Sequence, residues 1–254
     1  MTSRHRRSSP WPSNWRARIS LALLLLCLTG AGAAPTVGDH LAACKNEAGD
    51  PKARIEACTR VLEGARDNED LRIEALLQRG VLQELSGDQE AAIADYSEII
   101  KLDATSAIAH FNRGNVRDRL GQQELAIQDY SEAIRLDPSD PDMFNNRGQV
   151  YDSRGEFDLA IADYSQAIKL DATSSRPFYN RGLSYFSKGE FKSAMADFDQ
   201  AIALQGNDAD AFAARAATHE ELGDKTAALA DYRQALQLAP EHGEAKEGIE
   251  RLGK

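Results

Sequence analysis

The sequence predicts an all-α solenoid, a stack of antiparallel helix hairpins, and three observations predict it. Small residues recur every 34 positions, at Gly80, Gly114, Gly148, Gly182 and Ala216. Glycine follows seven residues behind each, at Gly87, Gly121, Gly155, Gly189 and Gly223, and alanine five later, at Ala92, Ala126, Ala160, Ala194 and Ala228. An aromatic row of Tyr96, Tyr130, Tyr164, Phe198 and Tyr232 stands four residues beyond the alanines. A fixed period this sharp identifies a repeat array rather than a single-core catalytic domain.

Residues 107–140 show what one unit contains. Helical apolar spacing runs from Ala107 to Leu120 and stops at Gly121, a suitable left-handed C′ residue. The same spacing resumes at Gln122 and stops at Leu136, ahead of Pro138. Two helices of about four turns with a short connection make an antiparallel hairpin. Gly114 lies inside the first helix, where glycine costs roughly 1 kcal/mol relative to alanine. Its recurrence implies close helix approach, and Gly114 is expected to face Ala126, with Tyr130 wedged against the neighbouring helix. Ile127, Ala133 and Ile134 complete the apolar stripe.

A 34-residue helix–turn–helix with these offsets resembles the tetratricopeptide repeat (TPR), with units at 73–106, 107–140, 141–174, 175–208 and 209–242. The triplets Asn112-Arg113-Gly114, Asn146-Arg147-Gly148 and Asn180-Arg181-Gly182 are similar to one common Asn-Arg-Gly subclass of that family, and the chain as a whole resembles an exported bacterial member. The resemblance implies a right-handed solenoid. The family's end-of-repeat proline is kept at Pro138 and Pro240 and replaced by Ala104, Ala172 and Gly206, which is expected to soften those junctions. The first-helix tryptophan is replaced by Leu76, His110, Phe144, Phe178 and Phe212.

Outside the five units, 243–254 reads as a capping helix, with Ala245, Ile249 and Leu252 on one face. Residues 34–72 read as a degenerate N-terminal hairpin: Gly49-Asp50 aligns with Gly87-Asp88 at an offset of 38, so four extra residues are expected in the Gly64–Asp70 loop. Residues 1–33 read as a signal peptide. Five arginines and no acid occupy 1–18, an apolar run covers Ile19–Leu28, and Ala31-Gly32-Ala33 supplies small residues for cleavage. The uncharged stretch from Ile19 also leaves an uncleaved anchor open. The expectation is export, to the periplasm or beyond.

The chain has 30 basic and 40 acidic residues; losing the five leader arginines leaves 25 against 40, a net charge near −15. That argues against a nucleic-acid or anionic-membrane partner on electrostatic grounds. It reads either as a solubility device or as the complement of a basic protein. Cys44 and Cys58 remain after the leader, on the two helices of the first hairpin, and in an oxidising compartment they are expected to form a disulfide; two small core residues are the alternative.

No catalytic, metal or cofactor site is legible. His40, His110, His219 and His242 occupy different repeat positions, and His219-Glu220-Glu221 reads as solvated helix surface. Arg79, Arg113, Arg147, Arg181 and Arg215 each precede an aspartate by 16 residues (Asp95, Asp129, Asp163, Asp197, Asp231), which predicts a packing ion pair. The TPR resemblance implies a concave groove lined by the first helices, with Phe111, Asn112, Asn115, Asn145, Asn146, Gln149, Arg176, Tyr179, Asn180, Leu183 and Phe186 on it, and Arg119 and Asp152 on the same surface by their offsets. The Asn112, Asn146 and Asn180 row resembles the asparagine ladders with which some TPR proteins hold a peptide backbone. Asn115, Asn146 and Arg176 match part of a carboxylate clamp, but Phe111 and Asn180 replace its basic residues, so that ligand is not expected. Tyr179, Leu183 and Phe186 make an apolar patch. The expected function is a protein-binding scaffold or adaptor, by analogy in envelope assembly. Self-assembly through repeat ends, or service as the regulatory half of an enzyme complex, are the alternatives.

Overall fold

The computed structural model describes residues 34–253, and the leader expectation for 1–33 lies outside them. The described residues form thirteen α-helices and no strand. An N-terminal pair, α1 (Val37–Lys45) and α2 (Pro51–Gly64), precedes five hairpins. These are α3 (Glu69–Ser86) with α4 (Gln89–Leu102), α5 (Ala107–Arg119) with α6 (Gln123–Leu136), and α7 (Pro141–Ser153) with α8 (Phe157–Leu170). Then come α9 (Ser175–Ser187) with α10 (Phe191–Leu204), α11 (Ala209–Glu221) with α12 (Lys225–Leu238), and the single α13 (Gly243–Leu252). None of these helices is long and apolar enough to cross a membrane.

The helix ends follow local chemistry. Asp50, Asn68, Asp88, Asp208 and Asp224 each accept a bond from a first-turn amide, and Thr36 with Asp39 makes a full capping box. Within each hairpin the turn glycine is left-handed, from φ 71° at Gly121 to 84° at Gly87. Three junctions between hairpins share one hydrogen-bonded turn, with or without the proline. After α4, Asp103 accepts from both the amide (2.8 Å) and the hydroxyl (2.6 Å) of Thr105. The same Asx turn recurs at Asp137 with Ser139 and at Asp171 with Thr173, so Ala104 and Ala172 sit in hydrogen-bonded turns. The Gly206 junction has Gln205 at that position, and its side chain accepts instead from Ser175.

Packing corrects one expectation. Gly114 does not face Ala126; a Cβ there would stand 2.9 Å from Tyr130 Cε1. Gly80, Gly148 and Gly182 lie in the same way under Tyr96, Tyr164 and Phe198. The glycine row therefore admits the aromatic ring of its own hairpin, and the alanine row is buried beside it.

The arginine row does more than pair. Arg147 binds both Asp163 oxygens at 2.8 Å through Nε and Nη2, while Nη1 reaches Ser131 on the preceding hairpin at 3.0 Å. Arg113 reaches Ser97, Arg181 reaches Ser165 and Arg215 reaches Asp199 in the same manner. Arg79 reaches Thr59 on α2. Each guanidinium thus ties three helices with a planar fork.

The N-terminal pair joins the stack with one irregularity. Thr59 stands 38 residues before Ser97, which matches the offset read from the sequence. The four extra residues do not lengthen the loop, which is Ala65–Asn68 and as short as the others; they add a turn to the start of α3. Helix growth satisfies their backbone groups internally, and Arg72 in that turn bonds Glu98 at 3.1 Å. Cys44 and Cys58 are fully buried with their Cα atoms 4.9 Å apart and their sulfurs at bonding distance. At the other end, α13 buries Ala245 and Gly248 against α12, and Arg251 holds Glu220 at 3.0 Å.

Candidate protein-binding groove

The first helices of successive hairpins lie side by side: α5 packs on α7, α7 on α9 and α9 on α11. No comparable packing joins successive second helices among the described residues. A stack closer on one layer than on the other curves toward the closer layer, so the first helices line its concave side.

A chain of side-chain amides crosses three of these helices. Tyr130 donates its hydroxyl to Asn115 Oδ1 at 2.8 Å, and Asn146 Nδ2 donates to the same oxygen at 2.9 Å. Asn145 donates to Asn146 Oδ1 at 3.2 Å, and Asn180 donates to Asn145 Oδ1 at 3.1 Å. The asparagines therefore satisfy one another across repeat boundaries. A carboxamide has two donors and two acceptor lone pairs, so capacity remains at the half-buried Asn115 and Asn146. Asn145 and Asn180 are buried and serve the packing.

The other expected groove residues separate by environment. Phe111 is half-buried, with its ring tilted on Tyr130 at 5.9 Å, and Asn112 is half-buried beside it. Gln149 is exposed. Arg176 forms an ion pair with Asp142 of the preceding repeat, so the partial carboxylate clamp has its arginine occupied and its two asparagines bonded together. Tyr179, Leu183 and Phe186 are partly buried and pack against Ala194, Phe198 and Ala214. Tyr179 stacks obliquely on Phe198 at 6.0 Å, Phe186 meets Phe191 edge-on at 5.4 Å, and burial pushes the Tyr179 phenol up to about 12.

One row was missed. Glu84, Asp118, Asp152 and Glu220 occupy one repeat position in four hairpins, and the 34-residue period alone could have found them. At the two ends the acid is neutralised: Glu84 pairs with Arg119 and accepts from Tyr96, and Glu220 pairs with Arg251 and accepts from Tyr232 at 2.5 Å. In the middle, Asp152 accepts from Ser184 at 2.6 Å, and no cation pairs with Asp118 or Asp152 among the described residues. Burial raises both carboxyl groups above the usual range.

Comparison with known proteins decides the family. Models described as "TPR repeat" match 85–121, 119–153 and 151–189, and "Tetratricopeptide repeat" models match 175–208 and 209–242. The chain belongs to the tetratricopeptide repeat family. No curated protein matches it in sequence. Among solved structures, the TPR protein YrrB is 22% identical with a TM-score of 0.65, over 77% of this chain and 99% of YrrB. A tetratricopeptide repeat protein from Parabacteroides merdae is 16% identical with a TM-score of 0.68, over 85% and 92%. MamA is 22% identical with a TM-score of 0.61, over 64% and 95%. These likenesses establish the fold: a TPR array, the architecture of protein-interaction scaffolds.

Proposed function

We propose that this TPR protein is an exported, non-catalytic adaptor that holds a segment of a protein partner on its concave face, in the assembly of the cell envelope. The observation that carries the reading is the continuous first-helix surface, on which the Asn115–Asn146 amides stand one repeat from the Tyr179–Leu183–Phe186 patch. Amides suit a peptide backbone whatever its side chains, and an aromatic-lined shelf suits one apolar anchor. The structural neighbour YrrB is described as a TPR protein with an unusual peptide-binding site, which supports the same use of this fold. The basic-then-apolar order of residues 1–28 and a buried Cys44–Cys58 disulfide support export to an oxidising compartment.

Affinity capture from the native compartment tests this reading, run beside an Asn146→Ala, Tyr179→Ala double variant. The expected result is a partner retained by the parent and lost by the variant, with unchanged circular dichroism in both. Equal retention of the same partners by both forms would overturn the groove reading.

A further inference from the structure

We propose that the concave face recognises a basic–apolar peptide: two cationic side chains about three residues apart take Asp118 and Asp152, and a bulky apolar residue about three further on takes the Tyr179–Leu183–Phe186 shelf. This rests on the groove reading and names the chemistry of its ligand.

The argument begins with the acid row. Where the array ends, each acid has an arginine from the next element: Arg119 of α5 on Glu84, and Arg251 of α13 on Glu220. Arg119 stands 35 residues after Glu84, and the same step from Asp118 and Asp152 arrives at Ser153 and Ser187. The guanidinium that pairs with Glu84 is thus replaced by serine at the two central positions, and the 31-residue step that brings Arg251 to Glu220 reaches only Gln149 and Leu183 from Asp118 and Asp152. Arg119 adjoins Asp118 in sequence but is turned to Glu84. Asp118 and Asp152 are left as half-buried carboxylates, with the phenols of Tyr130 and Tyr164 as neighbours. Neither phenol adds positive charge. The missing charge is the one a ligand's lysine or arginine supplies.

The third contact follows from order along the stack. Asp118 lies on α5, Asp152 on α7, and the apolar shelf on α9. At the position of Asp118 and Asp152, the α9 repeat carries Phe186. Neighbouring packed helices lie about 8–10 Å apart, and an extended chain advances about 3.3 Å per residue. One repeat therefore corresponds to about three peptide residues. The exposed amide of Gln149 and the remaining capacity of Asn115 and Asn146 face the backbone between these anchors. The chain's net charge near −15 without its leader favours the same partner at long range.

The test is fluorescence anisotropy with three labelled peptides on the chain lacking residues 1–33. One carries two arginines three residues apart and a leucine three beyond; the second replaces both arginines with glutamate, the third with glutamine. Tight binding of the first alone is expected, weakened about tenfold by Asp118→Asn or Asp152→Asn and again by Phe186→Ala. Binding is expected to weaken as salt rises from 50 to 300 mM for the parent and much less for the Asp118→Asn, Asp152→Asn double variant. A first peptide that binds no better than the second or third, or equally to the double variant, overturns the proposal. Groove binding of the glutamine or glutamate peptide that is lost in Asn146→Ala, Tyr179→Ala overturns this proposal alone and leaves the adaptor reading standing. No binding by any of the three also overturns it, while the capture experiment still decides whether the groove holds another segment.

Discussion

At the scale of single residues, the arginine fork is the strongest polar feature of the array. Asp163 is buried, and its charge is tolerable because Arg147 meets both oxygens in plane. Removing the cation leaves the carboxylate without compensation, a change that costs about 3–5 kcal/mol at buried pairs. Arg147→Ala is therefore expected to lower chemical-denaturation stability by that order, and Arg147→Lys by less, since an ammonium retains the charge but not the fork. The sequence gives the Arg–Asp spacing directly. The third arm is written there too, as Thr59, Ser97, Ser131 and Ser165, but hydroxyl residues are so common on helices that only the bond distances single them out.

At the scale of elements, the helix boundaries were legible because capping and turn chemistry is local. Asp50, Asp88 and the left-handed glycines announce themselves within four residues. What sequence could not assign is where an insertion goes. Four residues between Gly64 and Asp70 look like loop, since Arg66, Asp67 and Asn68 are polar, yet helix α3 extends backward over Glu69–Arg72. The partner of Gly114 was equally hidden: alanine and tyrosine rows both recur at 34, and only packing tells that the ring lies over the glycine. The first hairpin, 37–64, carries no phenylalanine, tyrosine or tryptophan, and the sulfurs of Cys44 and Cys58 stand at bonding distance across it at a sequence separation of 14. Loop-closure entropy assigns a bridge of that span about 3 kcal/mol. Reduction with a phosphine is expected to unfold α1 and α2 ahead of the remaining repeats, read as early loss of amide protection over 37–64 in hydrogen exchange.

At the scale of the whole molecule, the acid row trades stability against recognition. Folding raises the carboxyl groups of Asp118 and Asp152, so the folded chain holds those protons more tightly than the unfolded one. The resulting cost is present at neutral pH and disappears as pH falls through the carboxylate range, where both states are protonated. The Asp118→Asn, Asp152→Asn double variant is therefore expected to have a higher Tm than the parent at pH 7, with the gap closing toward pH 4, in thermal scans across pH. A Tm difference that stays constant with pH would deny the electrostatic cause. The groove as a surface is read from the family resemblance, and its three apolar residues pack against one core cluster. The mutual bonding of its asparagines was not legible, because period alone cannot tell a side chain turned to solvent from one turned to its neighbour.

The fork also bears on how the array comes apart. In a one-dimensional stack, stability separates into a term for each repeat and a term for each boundary. Here one guanidinium contributes to both terms at once, joining the two helices of its own hairpin and the second helix of the one before. A repeat cannot fray without also loosening its neighbour. The same rivet on Thr59 draws α2 into the series, so an irregular hairpin shares the cooperativity of the regular ones. Unfolding should then proceed as a zipper opening from the ends, one arginine at a time, with the central repeats that carry the groove the last to yield.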